Sequence, residues 1–234
     1  MSVPPSQPSG ARVRVGNRLE SMRAPSQNPE TTGSPVRLLV AVALVVMGAV
    51  FATLGYRTES TLLLTWFGAA VLAWVVAAVP PGPLPWRPRR GWSAQAAVAP
   101  LVLGLVLGAL AVAGLALGLT AGLGDAVQQV FAPWRRVDWW WSLLGVVALA
   151  MAEELALRHG LFALLPRPAR ILGTMAVSAV VWWVIGNEVT ALGAVVVGLA
   201  CARQRWVTAS VLGPVITHVT SALVVAGGVF LFWW

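Results

Sequence analysis

The sequence predicts an all-α, polytopic membrane helical bundle of about seven hydrophobic segments, with the N-terminus inside and the C-terminus outside. Two observations carry that reading. The chain of 234 residues is 58% hydrophobic with a mean hydropathy of +0.79 and only 10% charged residues, a composition of polytopic membrane proteins rather than of a soluble domain this size. All sixteen of its basic residues are arginines, and they fall mostly at the ends of apolar runs, as the cytoplasmic bias of a membrane protein requires. The net charge of +8 is therefore read as contact with anionic lipid, and no nucleic-acid partner is expected.

Residues 1–36 are rich in Pro, Ser, Gly, Asn and Arg without apolar periodicity and read as a disordered cytoplasmic tail. Residues 37–234 form the transmembrane domain. The first apolar run starts near Leu38 and leads to Gly55-Tyr56-Arg57, unlike a cleavable signal peptide. Spans are expected at 38–56, 61–79, 95–123, 139–165, 171–186, 191–202 and 207–232, separated by Pro, Gly and Arg. The sixth, at twelve residues, reaches only about 18 Å, so the fifth and sixth are expected to form a hairpin turning inside the protein near Gly186 to Thr190. Val127, Val130, Phe131 and Trp134 recur at helical spacing and suggest either a short helix on the outer surface or a packed loop.

Loop charge sets the orientation. Arg12, Arg14, Arg18, Arg23, Arg37, Arg87, Arg89, Arg90, Arg167, Arg170, Arg203 and Arg205 fall on one side and Arg57, Arg135 and Arg136 on the other, so the richer side is cytoplasmic. Trp139 to Trp141 and Trp233 to Trp234 then lie at the outer interface. The lone Cys201 excludes an intrachain disulfide and a thiolate metal cluster.

One segment spends free energy on charge. Glu153, Glu154 and Arg158 interrupt the apolar stretch from Trp139 to Leu165. Each costs roughly 2.5–3.5 kcal/mol near a helix centre, about 8–10 together, more than the apolar residues around them return. Groups retained at such cost face a protein interior or a wet cavity and mark a functional site. Helical counting puts Glu153 and Glu154 about 17 Å, His218 about 17 Å and Asn187 about 24 Å from their cytoplasmic ends, so the four can share a layer. Glu154 and Arg158 are an i, i+4 pair, with Glu153 about 100° away. His159 points elsewhere and reads as a helix-end histidine bonded to a carbonyl. Gly213-Pro214 is expected to open the last span just below His218. Two carboxylates and one arginine in low dielectric cannot all be ionised, so one glutamate should hold or take a proton near neutral pH and serve as a base for water. A histidine and an amide donor nearby could stabilise the resulting oxyanion.

These residues resemble the CPBP family, the CAAX prenyl endopeptidases and bacteriocin-processing or self-immunity (Abi-like) proteins, over about residues 139–226. Its first motif, two Glu, three residues and an Arg, matches Glu153-Glu154-Leu155-Ala156-Leu157-Arg158, with Gly160 and Phe162 following. Its second, an aromatic and then a His four residues later, corresponds to Trp183 through Asn187, with Asn in place of His. Its third, a small-residue and Pro segment leading to a His, with Asn or Asp four later, fits Gly213-Pro214 and His218, but position 222 is Ala. The resemblance implies an intramembrane endopeptidase that hydrolyses membrane-associated peptides, with Glu153 as the base, Glu154 and Arg158 shaping its charge and His218 helping to hold the oxyanion, while Asn187, at the second motif's His position, can donate a hydrogen bond but cannot carry a proton. It implies an integral, multi-pass protein, expected in a bacterial plasma membrane, whose partners are the lipid bilayer and a membrane-embedded or lipid-proximal substrate. Members are commonly labelled metalloproteases; two carboxylates and one histidine also suffice for glutamate-activated water, so a divalent metal stays open and no cofactor is expected. Two alternatives remain: a catalytically silent relative that binds a membrane partner, favoured by Asn187 and Ala222, and a transporter or proton relay, disfavoured by the lack of an internal repeat.

Overall fold

The computed structural model describes residues 34–58, 60–86, 88 and 93–233. The tail arginines up to Arg23, together with Arg87, Arg89 and Arg90, lie outside the described residues. So does the reading of residues 1–33 as disordered.

The described residues are helical, without strands. The helices are α1 (Pro35–Arg57), α2 (Ser60–Ala77), α3 (Ala94–Thr120), the short α4 (Gly124–Phe131), α5 (Trp139–Glu154), α6 (Arg170–Ile185), α7 (Glu188–Thr208) and α8 (Leu212–Trp233). Five stretches are long and apolar enough to cross a membrane: Pro35–Arg57, Ala97–Thr120, Trp139–Leu164, Arg167–Ile185 and Leu212–Leu231; Leu62–Ala77 is a shorter apolar helix. The molecule is an integral, multi-pass membrane protein by this measure.

Alternating direction puts the connections at two ends. At the end bearing Arg167, Arg170, Arg203 and Arg205, Val211 N–H donates to the Pro85 carbonyl at 3.1 Å and Ser210 Oγ to the Trp86 carbonyl at 2.8 Å. At the opposite end Arg136 Nη1 donates to the Thr58 carbonyl at 2.8 Å, and the exposed Trp139, Trp140 and Trp141 cluster there. The short surface helix expected after α3 is α4: Val127 and Phe131 are buried and Asp125, Gln128 and Gln129 exposed.

Three expectations change. The sixth segment is not a twelve-residue piece but the 21-residue α7, about 31 Å long. Its polar ends, Glu188 at the start and Arg203 to Arg205 near the close, join the helix: the acid suits the N-terminal dipole and the base the C-terminal one. The last span begins at Leu212 rather than at 207, because Ala209 adopts a left-handed conformation (φ 56°) and ends α7. Pro214 therefore sits in the first turn of α8, where its missing N–H has no partner to lose; it starts the helix instead of opening it.

Two sub-bundles flank α5. One core gathers Ala49 and Ala52 of α1, Leu63, Phe67 and Trp74 of α2, Leu149 of α5 and Val181 of α6. On the other side α3 and α8 approach closely at Gly104 and Gly108, where an added Cβ would lie 2.6 Å from the Thr217 carbonyl oxygen and 2.6 Å from Val224 Cβ. Small residues permit that approach where lipid supplies no hydrophobic drive between helices. Between the halves, α5 runs into a wider π turn over Leu155–Leu161 before Phe162–Leu164 closes it.

Candidate active site

The π turn follows the two glutamates directly. Such insertions recur at functional sites because they rotate side chains out of the α register. Glu153 is 1% exposed, and Glu154 and Arg158 are fully buried. Arg158 Nε lies 3.4 Å from Glu154 Oε2, and Arg158 Nη2 donates to the Gly198 carbonyl of α7 at 3.0 Å. A side chain at Gly198 would come 3.1 Å from that guanidinium, so the glycine makes room for it.

His218, on α8, joins the carboxylates. Its Nδ1 lies 2.9 Å from Glu154 Oε1, and its Nε2 lies 4.0 Å from Glu153 Oε2. A carboxylate only accepts, so Nδ1 carries the proton and Nε2 faces Glu153. The His218 side chain is 15% exposed, the most accessible of these groups. The structure thus brings Glu153, Glu154, Arg158 and His218 into one buried cluster.

Asn187 is used differently. Its Oδ1 accepts from Val189 N–H at 3.0 Å and Thr190 N–H at 3.2 Å, and Thr190 Oγ1 in turn accepts from Asn187 N–H at 2.9 Å. This is a capping box at the start of α7. Its Nδ2 donates to the Ala126 carbonyl of α4 at 2.7 Å. The hydrogen bonds of Asn187 go to the α6–α7 turn and the surface helix, and none reaches the carboxylates. His159 binds the Gly82 carbonyl through Nε2 at 3.0 Å, as its position near a helix end suggests.

Two site residues were not singled out by sequence. Ser178 Oγ donates to Glu153 Oε1 at 2.5 Å, and Trp182 Nε1 donates to Glu153 Oε2 at 2.7 Å. Trp182, not Trp183, is the aromatic on the site face of α6; Trp183 is 62% exposed. Four residues beyond Trp182, the same face carries Gly186, which has no side chain. The only signal for this pair was their i, i+4 spacing in an apolar helix, which hydropathy does not register.

Three helices, α5 with its π turn, α6 and α8, thus deliver two carboxylates, a guanidinium, an imidazole, a hydroxyl and an indole to one point, and the same chain segment matches a known family. Residues 135–224 match a Rce1-like family model. The matching family model is that of type II CAAX prenyl endopeptidase Rce1-like, in keeping with the CPBP resemblance. The Rce1-like stretch spans α5, α6 and α7 and runs into α8 as far as Leu223 and Val224, so it holds every residue of the cluster. Helices α1 to α4 lie outside it. No curated protein and no solved structure matches the chain.

The cluster does not suit a metal ion. Among the described residues no three His, Cys, Asp or Glu side chains are arranged to hold one. Both oxygens of Glu153 already accept from Ser178 and Trp182, and a guanidinium stands against Glu154.

Proposed function

We propose that the chain is an intramembrane endopeptidase in which Glu153 activates water against a peptide carbonyl. The observation that carries this is the 4.0 Å separation of Glu153 Oε2 from His218 Nε2. That gap is too long for a direct hydrogen bond, yet one water about 2.8 Å from each atom would touch both.

Glu153 takes the proton as the water oxygen bonds to the carbonyl carbon. The C–N bond then breaks and the amine departs with that proton. Glu154 holds Nδ1–H of His218, so the ring can carry a second proton on Nε2 and donate it to the oxyanion. Arg158 offsets the charge of Glu154. Because His218 is the accessible member, a substrate would approach along α8.

Reconstituted protein with a membrane-anchored peptide, read by mass spectrometry, tests this. Glu153→Gln keeps the shape, its one oxygen still able to accept from Trp182 Nε1 and its amide N–H able to donate to the Ser178 hydroxyl, and removes the base, so cleavage is expected to fall about 10²-fold or more. Unchanged cleavage would remove Glu153 from the chemistry.

A second reading is a non-catalytic relative that binds a membrane partner. It is favoured by the tightness around Glu153: the space lined by Val45, Trp74, Ala156, Leu157 and Val181 admits no water. A partner that co-purifies equally with wild type and Glu153→Gln, with no cleavage by either, would select it.

A further inference from the structure

We infer that Ser178 and Trp182 are the positioning residues of Glu153. The inference rests on the proposal that Glu153 is the base and adds how that base is held.

Both lie on one face of α6, one turn apart, and each donates to a different oxygen of the same buried carboxylate, at 2.5 and 2.7 Å. A helical serine commonly returns its hydroxyl proton to the carbonyl four residues back. Thr174, one turn earlier, does so, donating to the Arg170 carbonyl at 2.7 Å. Ser178 instead spends its one donor on Glu153. The indole N–H can only donate, so it fixes the polarity of the contact: Glu153 must accept.

Two neutral donors orient a carboxylate without cancelling its charge. Neither takes a proton at neutral pH, so proton transfer is confined to Glu153 and His218. Trp182 is itself fixed from behind, since its carbonyl accepts from Thr190 Oγ1 at 2.7 Å, the same hydroxyl that completes the Asn187 cap. With Gly186 leaving the next turn of this face bare, the indole is the last polar group α6 offers the site.

The test uses the full chain in lipid nanodiscs. The infrared difference spectrum between wild type and Glu153→Gln isolates the carboxylate bands of Glu153. These bands should shift in Trp182→Phe and in Ser178→Ala and return to the wild-type position in Ser178→Thr, which restores the hydroxyl. Cleavage by the first two should fall about tenfold or more in kcat, with KM little changed, since a misaimed base loses rate rather than binding. Carboxylate bands that stay in place in both Trp182→Phe and Ser178→Ala overturn the inference, whatever the activity. Shifted bands in a protein that cleaves nothing support the positioning and overturn the protease reading instead. Should Trp182→Phe fail to fold, the serine pair carries the same comparison.

Discussion

The α5 carboxylates and the α6–α7 turn both bury polar side chains in an apolar bundle, but they spend them in opposite ways. At the turn, every polar atom of Asn187 is matched: Oδ1 to two backbone N–H groups, Nδ2 to a carbonyl, its own N–H to Thr190. In the cluster, Glu154 Oε2 and Arg158 Nε and Nη1 are buried without a hydrogen bond, Nε keeping only its 3.4 Å ion pair. Full local satisfaction is what a cap requires, and it contributes stability. Incomplete satisfaction costs stability, and a protein retains it where the groups do something else. On the proposed function, the contrast separates residues that hold the fold from residues kept for chemistry, although both are polar and both lie in the membrane domain.

The largest test of that contrast is Arg158→Met. It leaves Glu154 buried without its counter-charge and should cost about 3–5 kcal/mol of stability, read as a fall in thermal midpoint in detergent or nanodiscs; a change under about 1 kcal/mol would mean that the pair is not desolvated as described. Next is His218→Ala, which should reduce cleavage about 10²-fold while the protein still inserts, because α3 and α8 stay joined through Thr217 Oγ1 and the Pro100 carbonyl at 2.9 Å. Asn187→Ala should cost about 1 kcal/mol by loss of the cap and leave the rate of cleavage near wild type. Smallest of all, Asn187→His should bring no gain in cleavage. A clear gain there would show that position 187 reaches the reacting carbonyl after all.

Much of this division was legible in the sequence. The spans follow from apolar length, and the pair Glu153 and Glu154 with Arg158 is visible because charge in such a stretch is expensive. His218 follows from depth and from the scarcity of histidine. What escaped detection has physical reasons. The extent of α7 was hidden because Glu188 and Arg203 to Arg205 are polar, and an apolar-run criterion stops at them even though helix ends favour those charges. Asn187 has the depth of a site residue, yet an asparagine just before a helix satisfies backbone donors first. Ser178 and Trp182 are neutral donors on an apolar helix, so only the direction of their side chains reveals them. Pro214 was read as a break because its distance from the start of α8 depends on Ala209, whose left-handed turn no composition rule predicts.

The central claim is that the α5 cluster carries chemistry and the α6–α7 turn carries only structure. The most direct measurement places Glu153→Gln and Asn187→Ala side by side in the same proteoliposomes, scoring both the thermal midpoint and the cleavage of a membrane-anchored peptide. The account predicts a double separation: Glu153→Gln keeps its midpoint and loses about 10²-fold or more in cleavage, whereas Asn187→Ala loses about 1 kcal/mol and keeps its rate. Equal loss of cleavage in both variants, at equal stability, would contradict it.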